Sequence, residues 1–386
     1  MEEKEISMKV NGLFFDNTHR QELAILVPVY KSKPEPLEIV ALKRIAEIFR
    51  DRKVFFLAPS LLNTSWYEKN FSEMEIERLD DRWFSSLDTY NRMLLSESFY
   101  QKWLECGFHS VLICQLDVYV IFDGLDDYLT MPYDYIGAPL FHLVQDSPCF
   151  YGGNGGFSLR KLEPCIRMLK MHADLLKKWN ENEDEFFSYC GENFPKEFHV
   201  APPNTSSQFA FDRFSRILYR RNRKNLPLAI HGWCTYDPSF SLELIGMSDE
   251  FKSRYNIKDI RKTEEDKCLI FAKAYQPIIL YGAGLWGKVF FRYLRKKGIS
   301  VRCFVVSDGQ PTGSSYCGVE VKRLSELGED CLASGIMFSV SKRFIGAKCF
   351  DAIFERVKRC GFEHCFEFNT VLFNLAVESW MEDYDV

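Results

Sequence analysis

Near the start of the chain, three short segments follow one another closely. Leu23 to Val29, LAILVPV, is short, rich in β-branched residues and ended by a turn, which reads as a buried strand. Pro34 and Pro36 break the chain, and Ile39, Leu42, Ile45 and Ile48 then recur at helical spacing. A second apolar run, Val54 to Ala58, stops at Pro59. Strand, helix and strand in this order form a β-α-β unit, which needs a parallel sheet with helical crossovers. The fold class is therefore α/β. At 386 residues the chain is long for one domain, and two are expected.

Further along, Leu87 to Leu104 reads as helical and leads into a strand from Ser110 to about Phe122. A turn-rich segment, YDYIGAPLFHLVQDSPCF, precedes the glycine cluster YGGNGGFSLR. Leu162 to Leu176 has helical periodicity, and NENEDEFFSYC is an acidic lead-in to a short helix. Residues 198–240, holding Pro202, Pro203, Pro227 and Pro238, read as mostly irregular. A charged, helix-like connector follows at 241–276. From Pro277 a new pattern begins: the strand IILY, the turn Gly282-Ala283-Gly284-Leu285-Trp286-Gly287, a helix to Lys297, and the strand Val301 to Val306 closed by Ser307-Asp308. The expected organisation is a domain over 1–240, the connector, and a smaller nucleotide-fold-like domain over 277–386.

Bulk properties exclude several classes. The net charge is −5, so no general basic field exists to hold nucleic acid. The local run Arg220-Arg221-Asn222-Arg223-Lys224 reads as a solvated helix end, with a phosphate or acidic lipid as the alternative. No run of eighteen apolar residues could span a bilayer, and the opening Met-Glu-Glu-Lys-Glu-Ile-Ser has no signal-peptide character. Thirteen cysteines without a CxxC pair point to free thiols in a reducing cytoplasm. A peripheral seat on the inner face of the membrane stays open, with no motif to support it. The oligomeric state is not legible.

Four features could carry chemistry. Asp117 lies among apolar neighbours in CQLDVYVIFD, so its charge needs a partner or a metal. Gly152, Gly153, Gly155 and Gly156 surround Asn154 and would let the backbone pass very close to a ligand. Glu183-Asp184-Glu185 gathers carboxylates before Phe186-Phe187, where one could serve as a general base. His231-Gly232-Trp233 puts an imidazole beside a large ring. One acid and one imidazole suit a hard divalent metal whose remaining ligands are waters and a diphosphate. Each feature also has an ordinary structural explanation: a local cap, a tight hairpin, a solvated helix start, an interior histidine with its hydrogen bonds met.

Taken in order, these segments resemble the glycosyltransferases of the GT-A fold. They are more closely similar to a bacterial family known only as a domain of unknown function, number 5672. The stretches that carry the resemblance are VPVYKSKPEPLEIVALKR, YNRMLLSESFY, LICQLDVYVIFD, YDYIGAPL, GGNGGFSLRK, NEDEFF and HGW, over roughly residues 20 to 240. The resemblance implies a nucleotide-diphospho-sugar transferase-like domain. It implies transfer of a hexose-like sugar from a nucleotide sugar, UDP-linked, to a glycan, lipid-linked or protein acceptor in surface polysaccharide or glycoconjugate synthesis. Pro28, Val29 and Tyr30 then sit where the nucleotide base and ribose bind, with Asn154 and Trp233 as further substrate contacts. Gln115-Leu116-Asp117 matches the DxD metal motif with Gln115 replacing its first acid. Asp117 and His231 would hold Mn²⁺ or Mg²⁺, and Gly155 and Gly156 would close over the donor sugar. Glu183-Asp184 matches the xED element, which implies Asp184 as the base of an inverting reaction.

In the C-terminal part, ILYGAGLWG fits GxGxxG between a strand and a helix, and Asp308 lies about 20 residues past the last glycine, where a ribose-binding acid is expected. Gly282, Gly284, Gly287 and Asp308 are thus candidate nucleotide contacts. The segment also resembles small Rossmann-like modules appended to polysaccharide-biosynthesis proteins, which implies an accessory role. An NAD(P)-dependent oxidoreductase or epimerase seated here is a second reading, and a non-catalytic nucleotide-binding scaffold is a third.

Overall fold

The computed structural model describes residues 22–382 apart from 145, 146, 314 and 341. The opening residues read above for a signal peptide lie outside them. The fold is α/β with sheets rich in parallel strands, as the opening β-α-β unit requires. Strand β1 (Leu23–Pro28) is buried along its whole length. Helix α1 (Pro36–Ile48) starts at Pro36, with the Glu38 carboxylate accepting the Glu35 N–H at 2.7 Å. It buries Ala41, Leu42 and Ile45 and leads into β2 (Lys53–Pro59).

With β3 (Glu75–Leu79), β4 (Ser110–Cys114), β6 (Tyr135–Val144) and β7 (Ser147–Lys161), these strands form one sheet in the order β3-β2-β1-β4-β7-β6. The first four are parallel, and β7 runs antiparallel to both β4 and β6. The chain leaves β1 toward β2 and β3, then returns to β4 on the other side. That reversal opens a crevice above the carboxyl ends of β1 and β4, where ligands of such sheets bind.

The structure differs from several sequence expectations. The helical stretch after Ser86 is two helices, α2 (Leu87–Leu94) and α3 (Glu97–Glu105). Ser96 interrupts them, its hydroxyl donating back to the Met93 carbonyl at 2.7 Å. The single strand expected from Ser110 to Phe122 is also split. After β4 the chain turns at Gln115–Asp117, and β5 (Val118–Val120) joins a different sheet. The turn-rich and glycine-rich segments are the two arms of the β6–β7 pair, and the glycines lie within β7 rather than at a hairpin tip. Helices α4 (Leu162–Met171) and α5 (Glu183–Asn193) follow.

The segment read as irregular holds β8 (Ala210–Phe211), helix α6 (Ser215–Arg221), β9 (Ala229–His231) and helix α7 (Pro238–Leu244). Strands β5, β9 and β8 make a small sheet of three. The basic run 220–224 ends α6, with the Arg220, Arg221, Arg223 and Lys224 side chains exposed.

The C-terminal sheet is wholly parallel, in the order β12-β11-β10-β13-β14. Its strands are β10 (Ile278–Tyr281), β11 (Val301–Val306), β12 (Val321–Arg323), β13 (Ile336–Phe338) and β14 (Cys365–Glu367). Helix α8 (Ile260–Ala274) precedes it, α9 (Leu285–Lys296) crosses from β10 to β11, and α10 (Thr370–Met381) closes the chain.

The stretch 241–276, expected to be helix-like, contains α8, which packs on both sides. Cys268 and Ala272 of α8 are buried in one apolar cluster with Phe211, Ile230 and Trp233 on one side and Leu280, Val289 and Trp380 on the other. Buried charges cross the same junction. Asp237 accepts from Arg216 at 2.6 Å and lies 3.3 Å from Arg261, which also bonds Glu378 at 3.0 Å. Removing Arg261, the buried partner of both Asp237 and Glu378, leaves uncompensated buried charge, costing about 3–5 kcal/mol.

Candidate active site

The three-stranded sheet assembles the first half of the site. Antiparallel pairing sets Val118 opposite His231, and the Gly232 N–H donates to the Asp117 carbonyl at 2.9 Å. Parallel pairing sets Phe211 beside Ile230, so the next residue, Asp212, comes level with His231. The imidazole therefore lies between two acids. Its Nε2 is 3.4 Å from Asp117 Oδ1 and its Nδ1 is 3.2 Å from Asp212 Oδ1. Burial alone would lower the His231 pKa, but the two carboxylates outweigh it and hold the ring well above its ordinary value. Burial would raise Asp117, and the imidazole reverses that, leaving its carboxyl below the usual range. Asp117 is not sealed in a strand. It sits in the turn between two sheets with its side chain 48% exposed, which is how the chain tolerates an acid there.

Two consecutive glycines of β7 join this half to the next. At Gly156 any Cβ would collide with His231 Nε2, and at Gly155 with Glu183 Oε1. The Gly156 carbonyl accepts the Gln115 N–H at 2.9 Å, and its N–H donates to Asn154 Oδ1 at 2.8 Å. The Gly155 N–H donates to Asp184 Oδ2 at 3.1 Å. These positions must be glycine because side chains from two other elements lie against the strand.

The acidic run opens α5, where negative charge meets the positive end of the helix dipole. Its three acids have three different fates. Glu183 pairs with Arg160, Oε1 to Nη2 at 2.8 Å, with both side chains buried. Glu185 accepts from the Tyr151 hydroxyl. Asp184 is held by the N–H groups of Gly155 and Glu185 and lines a cavity. Burial, with the charge of Glu183 beside it, pushes its pKa up to about 8. Arg160 also donates to Tyr100 Oη at 2.8 Å and Ser158 Oγ at 2.9 Å, so its donors organise the strand under the site.

Two openings flank these residues. A cavity of about 480 Å³ occupies the crevice at the β1–β4 reversal and is lined by Pro28, Tyr30, Tyr90, Gln115 and Asp117. Tyr30 stands at its edge, 54% exposed. A second cavity, of about 330 Å³, is lined by Asn154, Asn182, Asp184 and Arg213 on one side and by Leu285, Trp286 and Phe373 on the other.

Among the described residues no group of three or more His, Cys, Asp or Glu side chains is arranged to hold a metal. Asp117 and His231 nevertheless suit a hard cation completed by a diphosphate, whose binding would displace the proton that the two carboxylates hold on the ring. Their donor atoms face each other at 3.4 Å, and Asp212 on the far nitrogen orients the ring, as a carboxylate behind a ligating histidine does.

Other expected contacts lie elsewhere. Val29 and Trp233 have buried core side chains, Trp233 packing against Tyr119 with centroids 5.1 Å apart. The Gly282–Gly287 turn lies between β10 and α9. Gly282 has φ +109, Gly284 is open, and Gly287 packs directly against the Gly282 carbonyl. Asp308, however, is already engaged. Its Oδ1 accepts from the Ser325 N–H at 3.1 Å and hydroxyl at 2.7 Å, and its other oxygen takes Arg356. Sequence reasoning missed Asp212, Arg160 and Arg213. Asp212 had a usable signal, an acid closing the apolar run FAF as Asp117 interrupts its own.

Residues 73–231 match the profile of a family described as "Protein of unknown function (DUF5672)". No curated protein matches the sequence. Among solved structures, the chain is similar to mouse xyloside xylosyltransferase 1 in its apo form, at 14% identity over 55% of this chain and 98% of that one, with a TM-score of 0.40. It is similar to the galactosyltransferase LgtC in complex with donor and acceptor sugar analogs, at 16% identity over 60% and 99%, with a TM-score of 0.38. A third is the apo-form glycosyltransferase GlyE of Streptococcus pneumoniae TIGR4, at 12% identity over 94% and 100%, with a TM-score of 0.37. Likeness at these values bears on neither chemistry nor substrate, which must be read from the site's own residues.

Proposed function

We propose that the chain is a glycosyltransferase moving a sugar from a nucleotide-sugar donor, UDP-linked, to a hydroxyl of a glycan or glycoconjugate acceptor, with inversion at the anomeric carbon. The observation that carries the reading is the pair Gly155–Gly156. Adjacent residues hold Asp184 on one side and the Asp117–His231 pair on the other. One half can take a proton while the other receives a leaving group, the division of labour a single displacement needs.

In this reading the donor's base and ribose enter the crevice beside Pro28, Tyr30 and Tyr90. Asp117 and His231 would hold Mn²⁺ or Mg²⁺, which when bound neutralises the departing diphosphate. Asp184 takes the proton of the acceptor hydroxyl, whose oxygen bonds to the anomeric carbon. The bond from that carbon to the diphosphate oxygen breaks, and its electron pair leaves with the nucleoside diphosphate. The raised proton affinity of Asp184 makes it a stronger base than an ordinary carboxylate. Glu183, paired with Arg160, serves to position the glycine strand rather than to move a proton.

The engaged Asp308 weighs against the dinucleotide reading, since a ribose would have to share its oxygens with Ser325 and Arg356. Among the described residues no helix is long and apolar enough to cross a membrane. A thermal-shift panel of UDP-, GDP- and dTDP-sugars with and without Mn²⁺, alongside NAD(H) and NADP(H), tests the proposal. Stabilisation by a nucleotide sugar that needs Mn²⁺ is expected. Stabilisation by a dinucleotide alone would overturn it.

A further inference from the structure

Building on the transferase reading, we propose that the C-terminal unit forms the acceptor side of the site, and that the acceptor is an oligosaccharide held beyond its reacting sugar by Trp286 and Arg213. Any hydroxyl that Asp184 deprotonates must lie in the cavity Asp184 lines. The opposite wall of that cavity is Leu285 and Trp286, at the start of α9, with Phe373 of α10. An acceptor seated there touches both units.

The space does not end there. A further cavity of about 210 Å³ shares Arg213, Trp286 and Phe373 with the first and runs to Ser339 and Thr370, near the carboxyl ends of the C-terminal strands. The two meet at Arg213, whose guanidinium lies over the Tyr236 ring at 5.3 Å, with the charges of Asp212 and Asp184 acting on it. Aromatic faces beside amides, hydroxyls and a guanidinium match the chemistry of sugars, whose C–H faces stack on rings while their hydroxyls hydrogen-bond at the rim. Exposed Leu285, at 38%, adds an apolar lip. The shared core and the Arg216–Asp237–Arg261–Glu378 set fix one unit against the other, so an acceptor gripped by one is aligned with the base of the other. A dinucleotide would compete for the same crevice at the strand ends, but Asp308 is engaged.

The test is saturation-transfer NMR of the full chain with a panel of di- to tetrasaccharides built from glucose, galactose, N-acetylglucosamine and glucuronate. UDP with Mn²⁺ is titrated by calorimetry in parallel. Binding of at least one oligosaccharide is expected, weakened ~5-fold or more by Trp286→Ala, with UDP affinity unchanged. Leu285→Arg, at an exposed position that tolerates a longer side chain, narrows the cavity and should weaken the same saccharide. Absence of saccharide binding, indifference to both substitutions, or displacement of the saccharide by NAD(H) would overturn the inference. UDP binding with no saccharide binding sinks this inference alone. Saccharide binding at Trp286 with no nucleotide-sugar binding sinks the transferase reading instead.

Discussion

Gly156 lies directly beneath the imidazole of His231, and a side chain at 156 would occupy the space of Nε2. The atom that meets Asp117 is therefore placed by the absence of a methyl group on another strand. Gly156→Ala should displace the ring and weaken Mn²⁺-dependent UDP binding about ten-fold or more, measured by calorimetry. An unchanged affinity would show that Nε2 takes no part in it.

Asp212 acts on the same ring from behind, through Nδ1 at 3.2 Å. Asp212→Asn should lower the affinity for Mn²⁺ by about 10–100-fold, followed by electron paramagnetic resonance of the free ion. Asp117→Ala should abolish metal-dependent nucleotide binding outright, and intact Mn²⁺-dependent binding in that variant would remove Asp117 from the metal site.

For Asp184 the expected pattern is loss of turnover without loss of donor. Asp184→Asn should remove most transfer while leaving nucleotide-sugar affinity near that of the wild type, and collapse of both together would make the residue structural.

The pH behaviour of Asp184 is a separate check. Its folded pKa, about 8, lies above the ordinary 3.8, so the fold favours the protonated form. That contribution to stability is fully present below 3.8 and is lost as pH rises toward 8. The wild type should lose melting temperature relative to Asp184→Asn between about pH 4 and pH 8. The rate of transfer should rise over the upper part of the same window as the base ionises. Parallel melting curves for the two proteins would contradict the assignment.

Glu183 should behave differently from its neighbour. Glu183→Ala leaves the fully buried Arg160 without its carboxylate and should cost about 3–5 kcal/mol, read from urea denaturation. Full stability with lost turnover would instead make Glu183 the proton acceptor.

Much of the architecture was legible in the linear order of segments. Apolar runs with helical spacing between them specify β1, α1 and β2, and the same logic finds β10, α9 and β11. The candidates Asp117 and His231 were also legible, because an ionisable group in apolar surroundings needs a reason, and the run holding Asp184 was legible as gathered carboxylates before an aromatic pair. The roles within the acidic run were not. Three adjacent carboxylates are equivalent in sequence, and only Arg160, Tyr151 and the Gly155 N–H, brought from other elements, tell them apart.

The break inside CQLDVYVIFD is of the same kind. Hydrophobicity marks a buried strand on both sides of Asp117, but it cannot say that the two halves belong to different sheets. That depends on which strands are available to pair, and β9 takes β5 while β7 and β1 take β4. Short-range pattern thus determined the elements and the fold class, because burial and backbone pairing act on local periodicity. Long-range pairing decided which acid faces the cleft, which glycine must stay bare, and that α9 of the second unit walls the cavity of the first. Those are contacts between residues far apart in the chain, and no local periodicity encodes them.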